Sequence, residues 1–151
     1  MPLIIVSCAI LMVTMGIRQS SGLFVKPLVE STGLSISIIS LAMAIGQFMW
    51  GVAQPVGGLL AERVGTRTVV AIGLSLLAMG MMLISMVQGA IGVFATFGIL
   101  AAVGSGLASF SVLMGAAAQQ VPEERRGFAS GLINSGSSLG QFVFAPLTQF
   151  M

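Results

Sequence analysis

The chain has 151 residues, of which 56% are hydrophobic and 7% are charged, and its formal net charge is +2. About a quarter of the residues in a soluble domain are charged. This composition therefore excludes an ordinary soluble fold and predicts an all-α membrane protein whose partner is the lipid bilayer. The few basic residues form no face that would bind nucleic-acid phosphates, so we predict no nucleic-acid partner.

The residue types that enzymes use for catalysis are scarce in this chain. It contains no histidine, its four acidic residues are all glutamate, and Cys8 is its single cysteine. No nucleophile–base pair and no metal cluster can be assembled from these residues. We therefore predict that the protein is not an enzyme and that it needs neither a metal nor another cofactor.

Charged residues divide the sequence into apolar segments, and about 20 apolar residues suffice to cross the ~30 Å of a bilayer core. We predict a first helix over residues 3–27, interrupted by Arg18, and a second helix over residues 35–61 with Ser35 as its N-cap. A secretory signal peptide is the alternative for the first segment. That segment lacks the basic N-terminal region and the cleavage site that a signal peptide requires.

The uncharged stretch from Thr68 to Pro122 predicts a hairpin of two helices. As one straight helix this stretch would reach roughly 80 Å at 1.5 Å per residue, which is far more than the thickness of a bilayer. Its only polar break is Gln88-Gly89, so we predict a third helix over residues 69–87 and a fourth over residues 90–120. A fifth helix is predicted over residues 128–150.

The basic residues predict the orientation of these five helices. Because the third and fourth helices form a hairpin, the loop with Arg63 and Arg67 and the loop with Arg125 and Arg126 lie on one face. The positive-inside rule places that face in the cytoplasm. We therefore predict a multi-pass protein of the plasma (inner) membrane with a cytoplasmic N-terminus, with Lys26 as a minor exception on the outer side.

Small residues lie close together in the fourth helix, and in the fifth helix they recur at a spacing of four, which places them on common helix faces. Such residues let helix backbones approach each other closely in lipid. We predict that the two helices pack against their neighbours through Gly104, Gly106, Gly127, Gly131, Gly136 and Gly140.

The loop between the second and third helices carries the motif GLLAERVGTR at residues 58–67. It resembles the signature loop of the major facilitator superfamily, G-x-L-A-D-R-x-G-R-[RK], and matches it at six positions. Glu62 replaces the usual aspartate and keeps its charge, whereas Thr66 replaces a residue that is usually basic. The chain is therefore identified as resembling the N-terminal part of a transporter of this superfamily.

The physical roles of the loop residues are also predicted. Gly58 permits a close helix contact, and Gly65 permits a tight turn. Glu62, Arg63 and Arg67 are expected to form a charge network at the membrane edge that rearranges when the transporter changes conformation.

Other segments resemble the monocarboxylate-transporter-like branch of the superfamily, which includes oxalate/formate-type antiporters. The segments ERRGFASG at residues 124–131 and GSSLG at residues 136–140 are similar to the beginning of its fifth helix. The segment GIRQSSGLF at residues 16–24 is similar to the first helix of its bacterial members. Leu100 stands where many drug/proton antiporters have an arginine, which disfavours drug export.

The resemblance implies a twelve-helix fold of two six-helix halves with the substrate bound between them. Residues 1–151 would then be a single partial domain, a fragment with the first five helices, whose partner is the missing C-terminal helices or a homo-oligomer. The implied function is secondary active transport of a small, monocarboxylate-like organic anion by alternating access, with a proton as the candidate coupling ion. The alternative is a non-transporting membrane subunit or a truncated remnant that is stable only by assembly.

Arg18 is the strongest candidate for the substrate site. A charge near the middle of a spanning helix costs at least ~2.5 kcal/mol on insertion scales, so it usually faces a cavity. A guanidinium binds a carboxylate through two parallel hydrogen bonds. The alternative is that Arg18 extends to the outer membrane interface. Secondary candidates, each of which is alternatively an interhelical hydrogen-bonding residue, are Gln19, Gln47, Asn134 and Gln141, whereas Trp50 is assigned to packing or lipid contact.

Overall fold

The computed structural model describes the backbone of residues 2–149 and the side chains of residues 3–144, and it contains no strand in this part of the chain. Four helices are long and apolar enough to cross a membrane. We name them the first to fourth helices: Leu3–Thr32, Ile36–Val64, Thr66–Ile84 and Ala90–Gln120. The fifth helix is Arg126–Gln149. Residue 150, where the fifth helix is predicted to end, lies outside the described residues.

The observed helix ends differ from the predicted ones by a few residues. The first helix continues to Thr32 through a 3-10 turn at Ser21–Phe24. Pro27 does not end it, because Pro27 lies in the first turn of the segment Val25–Thr32, where a missing N–H is tolerated. The third helix begins at Thr66, since Gly65 alone, with φ +89°, makes the tight turn that the sequence predicts.

The fourth helix is interrupted twice, although the sequence predicts one uninterrupted helix. Phe94–Ala101 is a π-helix, which contains one residue more per turn than an α-helix would. The helix breaks again at Ser109, whose backbone is extended, before it resumes at Phe110–Gln120. The two interruptions separate a short α-helix, Ala102–Leu107, from the rest of the fourth helix.

The second and fourth helices lie side by side and parallel. A Cβ atom added to Gly46 would lie 3.4 Å from the carbonyl oxygen of Gly98, and one on Gly106 would lie 2.6 Å from the Cβ of Ala53. Further along, Ser111 donates a hydrogen bond of 3.0 Å to Gln54 Oε1. Close small-residue contacts of this kind replace the hydrophobic effect as the force that associates helices in lipid.

The third helix packs antiparallel on the opposite face of the fourth. A Cβ atom on Gly73 would lie 2.7 Å from the carbonyl oxygen of Gly104, and one on Gly80 would lie 2.8 Å from the backbone nitrogen of Ala101. Gly104 and Gly106 thus face two different neighbours. The second, third and fourth helices form one packed group.

The first and fifth helices form a parallel pair. Gly136 lies against the backbone of Cys8, and Gly140 lies against the backbone of Met12. The predicted contacts at Gly127 and Gly131 do not form among the described residues, because a Cβ atom on either glycine would meet no atom within 4 Å. These two glycines lie on a face of the fifth helix that is turned away from the first helix.

A buried apolar cluster joins the first and fifth helices to the packed group of the second, third and fourth helices. It lies at the end of the molecule that carries the residue 58–67 loop. Its members come from the first, third, fourth and fifth helices and include Leu11, Val69, Val112 and Ile133. This end is therefore tightly packed. The cavities described below lie in the middle of the helices and at the opposite end.

Candidate functional site

The Arg18 side chain turns toward the second helix. Its Nη2 atom donates a hydrogen bond to Oε1 of Gln47. Its Cζ atom lies 4.0 Å from the centroid of the Trp50 ring, which is a cation–π arrangement. Arg18 therefore binds across to a neighbouring helix and does not extend along its own helix to the membrane surface.

These three residues lie at the middle of their helices. Arg18 is 15 residues after Leu3 and 14 residues before Thr32, the ends of the first helix. Trp50 is 14 residues from either end of the second helix, Ile36–Val64. The guanidinium therefore lies near the midpoint of both helices, where a charge in a spanning helix has the greatest need of polar partners.

Arg18 lines an open cavity of about 510 Å³ to which all five helices contribute residues. The second helix contributes Gln47 and Trp50, and the fourth contributes Ala102 and Ser105 from its short middle segment. Much of the remaining lining is apolar and includes Met15, Met43, Leu77, Met81 and Phe97. Arg18 is the one charged residue among the described residues that line it.

Four of the five predicted substrate-site residues line this cavity. Gln19 and Gln141 lie in its wall with Arg18 and Gln47. Asn134 does not line it, and its side chain is exposed on the fifth helix. Asn134 is seven residues before Gln141 on the fifth helix, which places it two turns nearer the packed end and outside the cavity.

Trp50 is the site residue that the sequence reasoning missed. It had been assigned to lipid contact or packing, but it lines the cavity and stacks on Arg18. Its indole Nε1 is buried and has no hydrogen-bond partner among the described residues. The spacing offered a signal, since Trp50 follows Gln47 by three residues and residues three apart share a helix face.

The signature-loop residues lie at the tightly packed end of the molecule, away from the cavity. Glu62, Arg63 and Arg67 are all exposed, and their charge network remains a prediction. Gly58 makes no close contact with the part of the chain that the structure describes, because a Cβ atom there would meet nothing within 4 Å. The close contact belongs to Gly57 instead, where a Cβ atom would lie 3.0 Å from Val112 Cγ2.

The cavity is chemically suited to a single anionic group. One of the five guanidinium N–H groups of Arg18 is used by Gln47, and a carboxylate needs only two of the others. Because Gln47 accepts through Oε1, its amide nitrogen stays available as a further donor. Stacking on Trp50 fixes the plane of the guanidinium, so that less side-chain entropy is lost when an anion binds.

Comparison of the sequence with known proteins identifies a family and several relatives. The sequence model described as Major Facilitator Superfamily matches residues 5–151. The oxalate:formate antiporter of Oxalobacter formigenes is 28% identical over 132 residues, which cover 87% of this chain and 31% of that protein. Monocarboxylate transporter 13 of Rattus norvegicus is 32% identical over 140 residues, covering 90% of this chain and 31% of that protein.

A third relative shows a similar identity over most of this chain. Monocarboxylate transporter 9 of Rattus norvegicus is 33% identical over 122 residues, which cover 81% of this chain and 23% of that protein. The chain thus spans less than a third of the length of these curated relatives. Its relatives carry transporter names, which agrees with the prediction that the protein is not an enzyme.

Proposed function

This chain belongs to the major facilitator superfamily, and we propose that it forms part of a secondary active transporter for a small organic monocarboxylate. Arg18 binds the carboxylate through two of its N–H groups, and Gln47 and Trp50 hold the guanidinium in place. Gln19 and Gln141 are polar contacts in the same cavity wall. The names of the relatives support an organic carboxylate as the substrate class, since two name monocarboxylates and one names oxalate, a dicarboxylate, and formate.

The observation that carries this proposal is the single charge in the cavity. A buried anion requires a partner of opposite charge, and each further unpaired charge costs several kcal/mol. With Arg18 as the one charged residue in the described lining, one carboxylate is neutralised and a second would remain unpaired. In the part of the site that this chain forms, the single positive charge therefore favours a monocarboxylate over a dicarboxylate.

The chain acts together with further helices in this proposal. The relatives are more than three times as long as the matched region, and alternating access requires a second body against which the first can rock. Further helices of the same polypeptide or a second copy of this chain would supply it. The coupling proton stays a prediction, because no carboxylate or imidazole is present in the described lining of the cavity.

We further propose that the residue 58–67 loop and the N-terminus face the cytoplasm. In a Cys8→Ala background, Val64→Cys and Met86→Cys place single thiols at opposite ends of the molecule, on side chains that are 53% and 79% exposed. An impermeant thiol reagent added outside intact cells is expected to label Met86→Cys and not Val64→Cys. Reagent added to inverted vesicles should label Val64→Cys, and the reverse pattern would overturn the orientation.

The function is tested by measuring binding and uptake separately. The chain is placed in proteoliposomes with radiolabelled acetate or lactate, and the neutral amides of the same acids serve as matched controls of equal size. Saturable binding of the acids, with no binding of the amides, is the expected result. If the acids bind no better than the amides, the proposed anion site is wrong.

Uptake then separates a transporter from its alternative, a membrane subunit that does not transport. Saturable uptake by this chain would mean that five helices, as an assembly, complete the pathway. Binding without uptake would mean that the anion site is present and that further helices are needed for movement across the membrane.

A further inference from the structure

A second cavity of about 480 Å³ lies beside the first. It is formed by the end of the first helix, with Phe24 and Leu28, and by the turn between the third and fourth helices, with Ile84 and Val87. No charged residue is part of its described lining, and its polar side chains, Ser31, Ser85 and Gln88, are few. It therefore suits an apolar group.

Two residues, Met81 and Phe97, line both cavities and form the partition between them. Both have the properties of a partition that can be displaced. Met81 is unbranched and flexible, which lets methionine adapt to different neighbours. Phe97 lies in the π-helix Phe94–Ala101, and π-helical segments are rare and occur frequently at functional sites.

We propose that the second cavity is a subsite for the apolar tail of the transported anion. The carboxylate lies at Arg18, the chain of the substrate passes between Met81 and Phe97, and its end is buried against Leu28 and Ile84. This inference rests on the proposed function and extends it. The preferred substrate is then a monocarboxylate with an apolar tail of several carbons, whereas a two-carbon acid occupies only the first cavity.

The energetic consequence is a dependence of affinity on chain length. Burying one methylene is worth ~0.8 kcal/mol, which corresponds to about a fourfold gain in affinity. A tail that enters the second cavity should therefore bind about fourfold more tightly for each methylene it adds. The gain ends when the tail has filled the cavity.

Trp50 allows the test to be made without a label. It is the single tryptophan of the chain and stacks on Arg18 in the first cavity, so its fluorescence reports the arrival of a carboxylate. Leu28 is ten residues after Arg18, which is ~15 Å along a helix, so the acids must be long enough to pass the first cavity, and we would titrate the chain in lipid nanodiscs with straight-chain acids of about two, six and ten carbons. The expected result is affinity that rises with length by about fourfold per methylene.

Three variants locate the effect, and none adds or removes a tryptophan. Phe97→Ala removes one side of the partition and should raise the affinity for the longest acid severalfold relative to the two-carbon acid. Ile84→Phe fills the second cavity and should lower the affinity for the longest acid severalfold relative to the two-carbon acid. Phe94→Ala is the matched control, because Phe94 is in the same π-helix but lines neither cavity, and it should leave the length dependence unchanged.

The outcomes separate this inference from the proposed function. If the acids bind with an affinity independent of length, or if Phe97→Ala and Ile84→Phe change every acid equally, the tail subsite is wrong while the anion site stands. If no acid binds at any length, the proposed function fails and the tail subsite fails with it.

Discussion

Replacing Arg18 with glutamine is expected to weaken binding of a monocarboxylate at least about 30-fold without making the chain less stable. Removing one partner of a buried, hydrogen-bonded charge pair costs ~2–5 kcal/mol, and 2 kcal/mol corresponds to roughly 30-fold. The measurement is equilibrium binding of a radiolabelled monocarboxylate, because Trp50 fluorescence would itself change when its stacking partner is removed.

The thermal stability of Arg18→Gln should rise or stay the same, although its affinity for the anion falls. An arginine at the centre of a spanning helix costs ~2.5–3.5 kcal/mol on insertion scales. The hydrogen bond to Gln47 and the stacking on Trp50 offset part of that cost. Glutamine keeps a polar group and removes the charge, so the melting temperature should not fall. An arginine kept only for structure would give the opposite result, a destabilised variant.

Two further variants serve as controls for this prediction. Lys26→Gln removes the same charge from the same helix, but Lys26 is exposed and outside the cavity, so binding should be unchanged. Arg18→Lys keeps the charge and loses the planar fork that binds a carboxylate through two N–H groups, so its affinity should lie between those of Arg18→Gln and the unaltered chain. Equal affinities for Arg18→Gln and Lys26→Gln would contradict the assignment of Arg18.

The features that were predictable from the sequence follow from local chemistry. Long uncharged segments predict spanning helices because a bilayer accepts few other structures, and the observed helices differ from the predicted ones at their ends and in the two interruptions of the fourth helix. Gly65 was predicted as a tight turn because positive φ favours glycine, and its φ is +89°. Arg18 was predicted to face a cavity because lipid does not accept an isolated charge.

The features that were missed depend on which helix faces meet. Gly57 and Gly58 are adjacent and chemically identical, and only the position of the fourth helix decides that Gly57 is the close contact. The same holds for Gly131 and Gly140, which both belong to regular small-residue spacings. The spacing of three residues places Trp50 on the same helix face as Gln47, but it does not specify that this face of the second helix meets Arg18.

Replacing Gly140 with alanine is expected to lower the free energy of unfolding by about 1–3 kcal/mol, which is the usual cost of adding a methyl group to a site that has no room for it. The added Cβ would overlap the backbone of Met12, so the first and fifth helices must separate. Reversible unfolding in mixed micelles, followed by helical circular dichroism, measures the change.

Gly131→Ala is the matched control in the same helix. A Cβ atom there meets nothing within 4 Å, and alanine is favoured over glycine in a helix by about 0.5–1 kcal/mol, so this variant should be neutral or slightly more stable. Equal destabilisation by both variants would contradict the assignment of Gly140 to a close contact between the first and fifth helices, since helix propensity alone would stabilise both variants.

The Gly140 contact should also control the anion site, because the first helix carries Arg18 and makes most of its contacts with the fifth helix. When these helices separate, Arg18 moves relative to Gln47 and Trp50, which belong to the second helix. Gly140→Ala should therefore weaken carboxylate binding although Gly140 itself does not line the cavity, and Gly131→Ala should leave it unchanged. Gly140→Ala with full affinity would show that Arg18 is held by the second helix alone.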